Sequence, residues 1–476
     1  MIRWGILGAG NIAHRFAASL VNQKDRTLYA ISGRNAEKLE AFKKEYPCEK
    51  VFLSYDELIE DPDIDAIYLS LPHRFHHEYA LKALKNRKAV LCEKPSSLNA
   101  AQMKEIADCA RENRTLFMEA MKSRFTPAYL KLKQMLEEGV IGKLEKIETR
   151  VCFTIPKEMS GMSYHTSSAD GGALLDSGIY CASLIKDLLK GEPKFIRTYG
   201  NIYDGLDFYV DSFMEFDNGE AEMEVAFDRT KPRNAEIIGD KGSITLIDLH
   251  RPKTFIIHKD GKDETVEVEY DHDDFYSQID HFVNLLKENR YESDVHTYAS
   301  MIREMELLDA IKKQFTSYGE EDLKVLEQQE RDLSLDGFSS QIAYEIGTVI
   351  KETALEYDLP VGIRITREMD GLAVFQYMMD AKKESNINYM EGKRASVKET
   401  GHSSAWAYVK SKADPGFAAK EGCLLSGGAF PFYVDGQLEA IVAVSGLHEG
   451  KDHELIVRSL ERYLNRKTVV FPKVIG

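Results

Sequence analysis

The chain has 476 residues, 43% of them hydrophobic and 29% charged, with 62 Lys and Arg against 78 Asp and Glu and a formal net charge of −16. That length predicts two to four domains with ample core, and the acidic balance argues against nucleic acid or an anionic membrane as the main partner. No apolar run reaches the ~18 residues of a membrane span, the six cysteines show no Cys-x-x-Cys or Cys/His spacing, and the reading is of a cytoplasmic chain with reduced thiols and no metal site.

The N-terminal third alternates short apolar runs with segments of helical period. Residues 2–8, 28–33, 65–72 and 88–95 read as parallel strands covered on both faces, and the segments between them as helices. This is a doubly wound α/β pattern, whose ligands bind beyond the carboxyl ends of the strands. The first turn, Gly8-Ala9-Gly10-Asn11-Ile12-Ala13, fits G-x-G-x-x-G/A. Gly8 permits the tight turn, Gly10 lets the backbone approach a pyrophosphate, and Ala13 allows close helix packing. A glycine turn without a ligand is the plainer reading, but the strand before it and the helix after it favour a dinucleotide site.

No acidic residue stands at the end of the second strand to hold a ribose 2′-hydroxyl. Ser32-Gly33-Arg34-Asn35 occupies that position, followed by Lys38; a hydroxyl and a guanidinium suit a 2′-phosphate, so NADP(H) is expected, with NAD as the alternative.

From about residue 143 to 270 the pattern changes to strands, two of them joined at Asp217-Asn218-Gly219, and two helical stretches at 273–290 and 297–315 follow. Asp176 and Tyr180, four apart in "ALLDSGIYCASLIKDLL", share a face if that segment is one helix. A cap-like carboxylate and a core tyrosine are the plainer readings of the two.

Gly8 to Ala13, "LPHRFHHEYALKAL" (71–84), "VLCEKP" (90–95), "MEAMKSRFTP" (118–127) and "GGALLDSGIY" (171–180) occur in that order. Over roughly residues 1–318 the sequence resembles the glucose-fructose oxidoreductase/inositol dehydrogenase (Gfo/Idh/MocA) family, nearest its dihydrodiol and xylose dehydrogenase branch. The resemblance implies an α/β Rossmann domain (1–122), then an α+β domain with an open, mostly antiparallel sheet (123–318). It implies cofactor contacts from Gly8, Gly10, Asn11, Ile12, Ser32, Arg34, Leu71, His76, Glu93 and Lys94, and a substrate site of Lys94, His165, Asp176 and Tyr180. Lys94, Tyr180 and Asp176 are the expected catalytic residues. Hydride transfer from an alcohol carbon requires loss of the hydroxyl proton; whether Lys94 or Tyr180 moves it stays open, and a Tyr180 phenolate stabilised by Lys94 is the expected base. Many relatives carry Trp-Arg where this chain has the loop around His165, which leaves the substrate's identity open.

Residues 319–476 read as a further α/β domain with a hairpin at Asp435-Gly436. "GHSSAWAYVK" (401–410), "SGGAFPFYVDGQLEAIVAVSGL" (426–447) and "DHELIV" (452–457) resemble the small haem-degrading-like family of the haem-binding and glycolate-operon type, which implies a profilin-like α/β/α fold and a tendency to oligomerise. His402, His448 and His453 are candidate haem ligands, a weaker reading than a dimerisation or small-ligand module. The whole is expected to be a homo-oligomeric, NADP-dependent oxidoreductase acting on a secondary alcohol or hemiacetal of a sugar, polyol or cyclic diol. The alternatives are a nucleotide-binding redox sensor with the C-terminal domain as effector, and dinucleotide-dependent glycoside cleavage.

Overall fold

Mostly apolar runs of three to seven residues, too short to bury a helix face, form the first sheet. In the computed structural model, which describes residues 1–21, 23–155, 164–166, 171–203, 206–447 and 450–476, β1 (Ile2–Leu7), β2 (Arg26–Ser32), β3 (Lys50–Phe52), β4 (Ala66–Leu69), β5 (Ala89–Cys92) and β6 (Phe117–Glu119) pair in the order β3-β2-β1-β4-β5-β6, every pair parallel. The intervening α1 (Asn11–Leu20), α2 (Ala36–Glu45), α3 (Tyr55–Glu60), α4 (His76–Lys85) and α5 (Ala100–Asn113) are amphipathic. The core beneath α1 contains Trp4, Phe16 and Tyr68, the last two rings stacked with centroids 3.8 Å apart. Strand order reverses between β1 and β4, where such sheets open a ligand crevice.

After α6 (Pro127–Glu137) comes β7 (Leu144–Cys152), then α7 (Ala173–Asp176) and α8 (Gly178–Leu188), β8 (Phe195–Tyr203), β9 (Leu206–Phe216), β10 (Gly219–Ala226), β11 (Ala235–Gly239), β12 (Gly242–Ile247), β13 (Thr254–Lys259) and β14 (Lys262–Glu267). Neighbours run β14-β13-β12-β11-β7-β10-β9. The expected antiparallel character holds except at the centre, where β7 and β10 are parallel. The β9–β10 hairpin turns at Asp217-Asn218, with Phe216 opposite Gly219. Alternate residues of β10, Ala221, Met223 and Val225, are buried, and α8 packs on β7 and β10. Helices α9 (Tyr276–Lys287) and α10 (Tyr298–Thr316) complete this part.

Two compact units result, residues 1–196 with 203–310, and residues 197–202 with 311–476. The second contains α11 (Glu320–Asp332), α12 (Ser340–Ala354), β15 (Gly362–Arg367), β16 (Ala373–Met378), α13 (Glu384–Thr400), α14 (Ser404–Ala413), β17 (Ala429–Val434), β18 (Gln437–Ser445) and α15 (Lys451–Leu464). Its antiparallel sheet, β16-β15-β18-β17, is covered on both faces because its strands alternate apolar residues to both sides. Phe430, Phe432, Val442 and Val444 pack with α12 and α15, while Ala429, Ile441 and Ala443 pack with Met390 and Val397 of α13. The β17–β18 turn places Asp435 and Gly436 at φ 48° and 80°, the backbone of a two-residue hairpin. Among the described residues no helix is long and apolar enough to cross a membrane.

Candidate active site

The first unit opens a cavity of about 610 Å³ at the carboxyl ends of β1, β4 and β5. Gly8 forms its floor at φ +97°, where a Cβ would lie 2.9 Å from Leu71 and 3.1 Å from the Ser70 carbonyl oxygen. Only glycine fits there without strain. A Cβ on Gly10 would meet nothing within 4 Å, so the backbone at the start of α1 stands open to the cavity, and the helix end favours an anion. The residues present therefore suit a dinucleotide pyrophosphate.

Of the expected site residues, Gly8, Gly10, Asn11, Ile12, Leu71, His76, Glu93, Lys94, His165, Asp176 and Tyr180 all line this one cavity. Two expected cofactor contacts do not. Ser32 is fully buried and donates its hydroxyl to the Ile6 carbonyl at 3.3 Å; its place as the last residue of β2 turns the side chain into the sheet, which corrects the reading of a hydroxyl offered to a phosphate. Arg34 is exposed just before α2, where Asn35 caps the helix by accepting from Lys38 N.

Buried polar groups on both sides hold the Glu93-Lys94-Pro95 turn. Tyr68 donates to Glu93 Oε1 at 2.5 Å, and Lys94 N donates to Glu93 Oε2 at 3.3 Å. The His76 ring bridges the carbonyl oxygens of Pro95 (2.8 Å) and Leu71 (2.6 Å). Beyond the turn, Glu119 Oε1 accepts from Ser96 N at 2.7 Å and Ser96 Oγ at 2.9 Å. Glu119 converges with buried His296 and Glu304, their ligand-type atoms within 4.8 Å of one another; His296 Nε2 lies 3.0 Å from Glu304 Oε1. Glu119 lies far along the chain from His296 and Glu304, so no local spacing marks this cluster.

The turn aims Lys94 Nζ at Asp176, 2.7 Å from its backbone oxygen and 3.0 Å from Oδ1. His165 Nδ1 lies 3.4 Å from the same carboxylate oxygen. Burial alone would raise the Asp176 pKa, but the Lys94 ammonium and His165 hold it well below the usual carboxylate range. Tyr180 lies with its ring centroid 4.9 Å from Lys94 Nζ. Burial pushes its phenol up to about 12, and Lys94 only partly opposes this. The expected phenolate is therefore corrected: at neutral pH Tyr180 is a protonated phenol, because desolvation outweighs the neighbouring cation.

The single helix expected from 173 to 189 is also corrected. Ser177 (φ −101°, ψ −36°) separates α7 from α8, so Asp176 ends one segment and Tyr180 lies in the first turn of the next. Gly172, at φ +112°, allows this arrangement: a Cβ there would lie 2.3 Å from Asp207 Oδ1, and the same carboxylate accepts from Leu174 N at 2.6 Å.

Several cavity residues were not foreseen. Lys122 donates to Asp274 Oδ2 at 2.6 Å, and Arg15 also pairs with Asp274; burial opposes the Asp274 charge, but Lys122 and Arg15 hold its pKa low. Arg233, His250 and His73 line the wall. Lys122 belongs to the motif "MEAMKSRFTP"; Asp274, which stands behind the wall at the start of the helical stretch 273–290, and His250 have no motif around them.

A turn whose glycines admit a pyrophosphate, a buried Lys94–Asp176 pair and a protonated tyrosine thus share one cavity at the switch point of a parallel sheet. The sequence model of the "Oxidoreductase family, NAD-binding Rossmann fold" (GFO/IDH/MocA) matches residues 2–121, and that of the "GFO/IDH/MocA C-terminal domain" matches 129–245. A trans-1,2-dihydrobenzene-1,2-diol dehydrogenase from Xenopus tropicalis is 33% identical over 272 residues, 56% of this chain and 81% of the relative. The chain belongs to the GFO/IDH/MocA oxidoreductase family. It is an NAD(P)-dependent dehydrogenase or reductase fused to a domain that matches "Haem degrading protein HbpS-like" over 338–461. Other family relatives include the NADP(+)-dependent scyllo-inositol 2-dehydrogenase IolU of Bacillus subtilis (strain 168), 28% identical over 66% of this chain and 97% of the relative. The crystal structure of KijD10, a 3-ketoreductase from Actinomadura kijaniata in complex with TDP-benzene and NADP, is 25% identical with a TM-score of 0.58, covering 65% of this chain and 96% of that one.

The described residues do not make the apolar, axial-histidine pocket that haem requires. His402 Nδ1 is 2.7 Å from Glu330 Oε2 and its ring stacks on Trp406, while His453 faces a cavity whose lining includes Arg197, Glu454, Arg458, Glu461 and Lys473. His448 lies outside the described residues.

Proposed function

We propose that this chain is an NADP(H)-dependent oxidoreductase that transfers hydride between nicotinamide and a secondary alcohol or hemiacetal carbon of a sugar, polyol or cyclic diol. The observation that carries the reading is the Lys94–Asp176 pair beside Tyr180, in the same cavity as the Gly8-Ala9-Gly10 turn. The nicotinamide, when bound, accepts or supplies the hydride. Gly8, Gly10, Asn11 and Ile12 bind its pyrophosphate, and Leu71, His76 and Glu93 shape the wall beside it. Arg34 binds the 2′-phosphate without Ser32, as its exposure beyond β2 favours a charged ligand there.

Lys94 orients the substrate oxygen by a hydrogen bond from its ammonium, and Asp176 orients Lys94. In the reductive direction the Tyr180 phenol donates its proton to the carbonyl oxygen as hydride reaches the carbon. In the oxidative direction the alcohol proton passes back to the Tyr180 oxygen. His165, against Asp176, contacts the substrate's neighbouring hydroxyl. The NADP(+) named for IolU and the diol and inositol substrates named for the relatives support this class.

The proposal also keeps the division into residues 1–122, 123–318 and 319–476, a profilin-like fold for the last, a cytoplasmic location and assembly as a homo-oligomer. The test is production of reduced nicotinamide by the full chain with NADP+ or NAD+ across aldoses, inositols and vicinal cyclic diols. Turnover with NADP+ that Lys94→Ala abolishes while the nucleotide still binds is the expected result; cofactor binding with no turnover across that panel counts against it.

A further inference from the structure

Among the described residues, the charged side chains that line the hydride-transfer cavity are Arg15, Glu93, Lys94, Lys122, Asp176 and Arg233. All but one are committed to partners. Lys94 pairs with Asp176, Lys122 and Arg15 share Asp274, and Glu93 accepts from Tyr68. Arg233 is the exception: among the described residues its side chain makes no hydrogen bond and no ion pair. Its guanidinium carbon lies 5.5 Å from the centre of the Phe153 ring, a contact that steadies the head and uses none of its five N–H donors.

Arg233 stands just before β11, and its carbonyl accepts from Leu249 N at 2.7 Å, which sets it beside His250. The His250 ring is 5.8 Å from that of Tyr180. Phe153 packs 5.1 Å from Phe227, whose ring is 6.4 Å from His165. One or two aromatic rings thus separate Arg233 from the residues around the reacting carbon. Burial lowers the His250 pKa, Asp248 opposes this, and the Lys122 and Arg233 charges add to the lowering, so the field of the guanidinium reaches the ring next to Tyr180. The extra cation at Asp274 lies toward α1, which carries Arg15 and begins at the dinucleotide turn; the charge of Arg233 belongs to the second sheet.

Arg233 is half-buried and open to the cavity. In solution water meets its donors, but a substrate that fills the cavity displaces that water, and a desolvated guanidinium needs an acceptor of opposite charge. A carboxylate supplies two coplanar oxygens that match the fork and one negative charge that matches the one unpaired cation.

We propose that the substrate is a sugar or cyclic-polyol acid whose carboxylate binds Arg233 while a hydroxyl-bearing ring carbon faces the nicotinamide beside Lys94 and Tyr180. The inference rests on the hydride-transfer reading and narrows its substrate class.

The test uses matched pairs that differ at C6, glucuronate with glucose and galacturonate with galactose, together with the two hexose 6-phosphates. Reduction of NADP+ by the full chain gives kcat/KM, and calorimetry on the full chain loaded with NADPH gives binding without turnover. At least one uronate is expected to exceed its hexose by about tenfold or more in kcat/KM, the scale of hydrogen bonds to a charged group, with the difference in KM because Arg233 lies away from the reacting carbon. Arg233→Met should abolish that preference, and Arg233→Lys, which keeps the charge without the fork, should restore part of it; if neither variant folds, the matched pairs decide. Hexoses turned over as well as uronates would overturn the proposal and leave the oxidoreductase reading intact. Uronates bound through Arg233 with no reduction of NADP+ would support the acid site and overturn the oxidoreductase reading. No binding of either uronate, a preference that survives in Arg233→Met, or 6-phosphates favoured over uronates would each overturn the carboxylate assignment.

Discussion

The Lys94 ammonium lies 2.7 Å from the backbone oxygen of Asp176 and 3.0 Å from its carboxylate, with both side chains largely shielded from water. Each compensates the other's charge, so removing either leaves a buried ion without its partner. Lys94→Met should lower kcat by about 100-fold or more, the scale of a lost general acid–base or polarising group, with NADP+ affinity nearly unchanged by fluorescence titration. Asp176→Asn should keep the fold and lose activity through a misplaced Lys94, appearing in both kcat and KM. A variant with wild-type turnover at either position would remove the pair from the mechanism.

Tyr180 titrates near 12, so the phenol form prevails through neutral pH. In the reductive direction this is the active form, and the rate should be flat through neutrality and fall only in strong alkali. In the oxidative direction the oxygen must take up a proton, so the rate should climb with pH. Tyr180→Phe should flatten the oxidative profile and lower kcat about 100-fold; pH–rate curves for both directions check this.

Arg34 is exposed, whereas Ser32 is closed within the sheet. Arg34→Ala should weaken NADP+ binding by about tenfold or more, as expected for lost hydrogen bonds to a charged group, and leave NAD+ affinity unchanged. Ser32→Ala should barely alter the NADP+ to NAD+ ratio. Kinetics with both dinucleotides separate the two.

Gly172 combines φ +112° with a Cβ position 2.3 Å from Asp207 Oδ1. Gly172→Ala should cost about 1–3 kcal/mol of stability from the strained backbone alone, and more through displacement of the carboxylate that caps Leu174 N. A lower Tm should accompany loss of activity, because the same segment ends at Asp176.

His453 is buried and neutral, with its pKa lowered from 6.5 to about 4. Between those values the unfolded chain binds a proton that the folded chain does not, so stability falls as pH drops from 6.5 towards 4 and levels off below that. The loss from this residue is about 3 kcal/mol at most. His453→Gln should flatten the slope in that window, measured as denaturant midpoints of the second unit against pH.

Much of the fold is legible in local pattern. The alternation of strands and helices to residue 119, the β9–β10 hairpin and the Asp435-Gly436 turn each follow from spacing and from residues that tolerate a left-handed backbone. Gly8, Gly10, Lys94, Asp176 and Tyr180 could be singled out because short motifs surround them. Ser32 could not be judged in this way: whether a hydroxyl at a strand end faces ligand or sheet depends on the neighbouring strand, here the Ile6 carbonyl. The protonation state of Tyr180 was likewise beyond the sequence, since it depends on how far burial outweighs Lys94, and burial is a sum over the whole cavity wall.

The sequence by itself determined the order of elements, the dinucleotide turn and which side chains have the chemistry for hydride transfer, because these depend on residues a few positions apart. Tertiary structure alone decided the break at Ser177, the Lys122–Asp274–Arg15 cluster, the support of the Lys94 turn by Glu119, and the contact of His453 with Gln329. The Lys122–Asp274–Arg15 cluster and the Glu119 support are pairings of charge or hydrogen bond across tens to hundreds of residues. Such pairings follow from where packing brings the chain together, and no local periodicity encodes them.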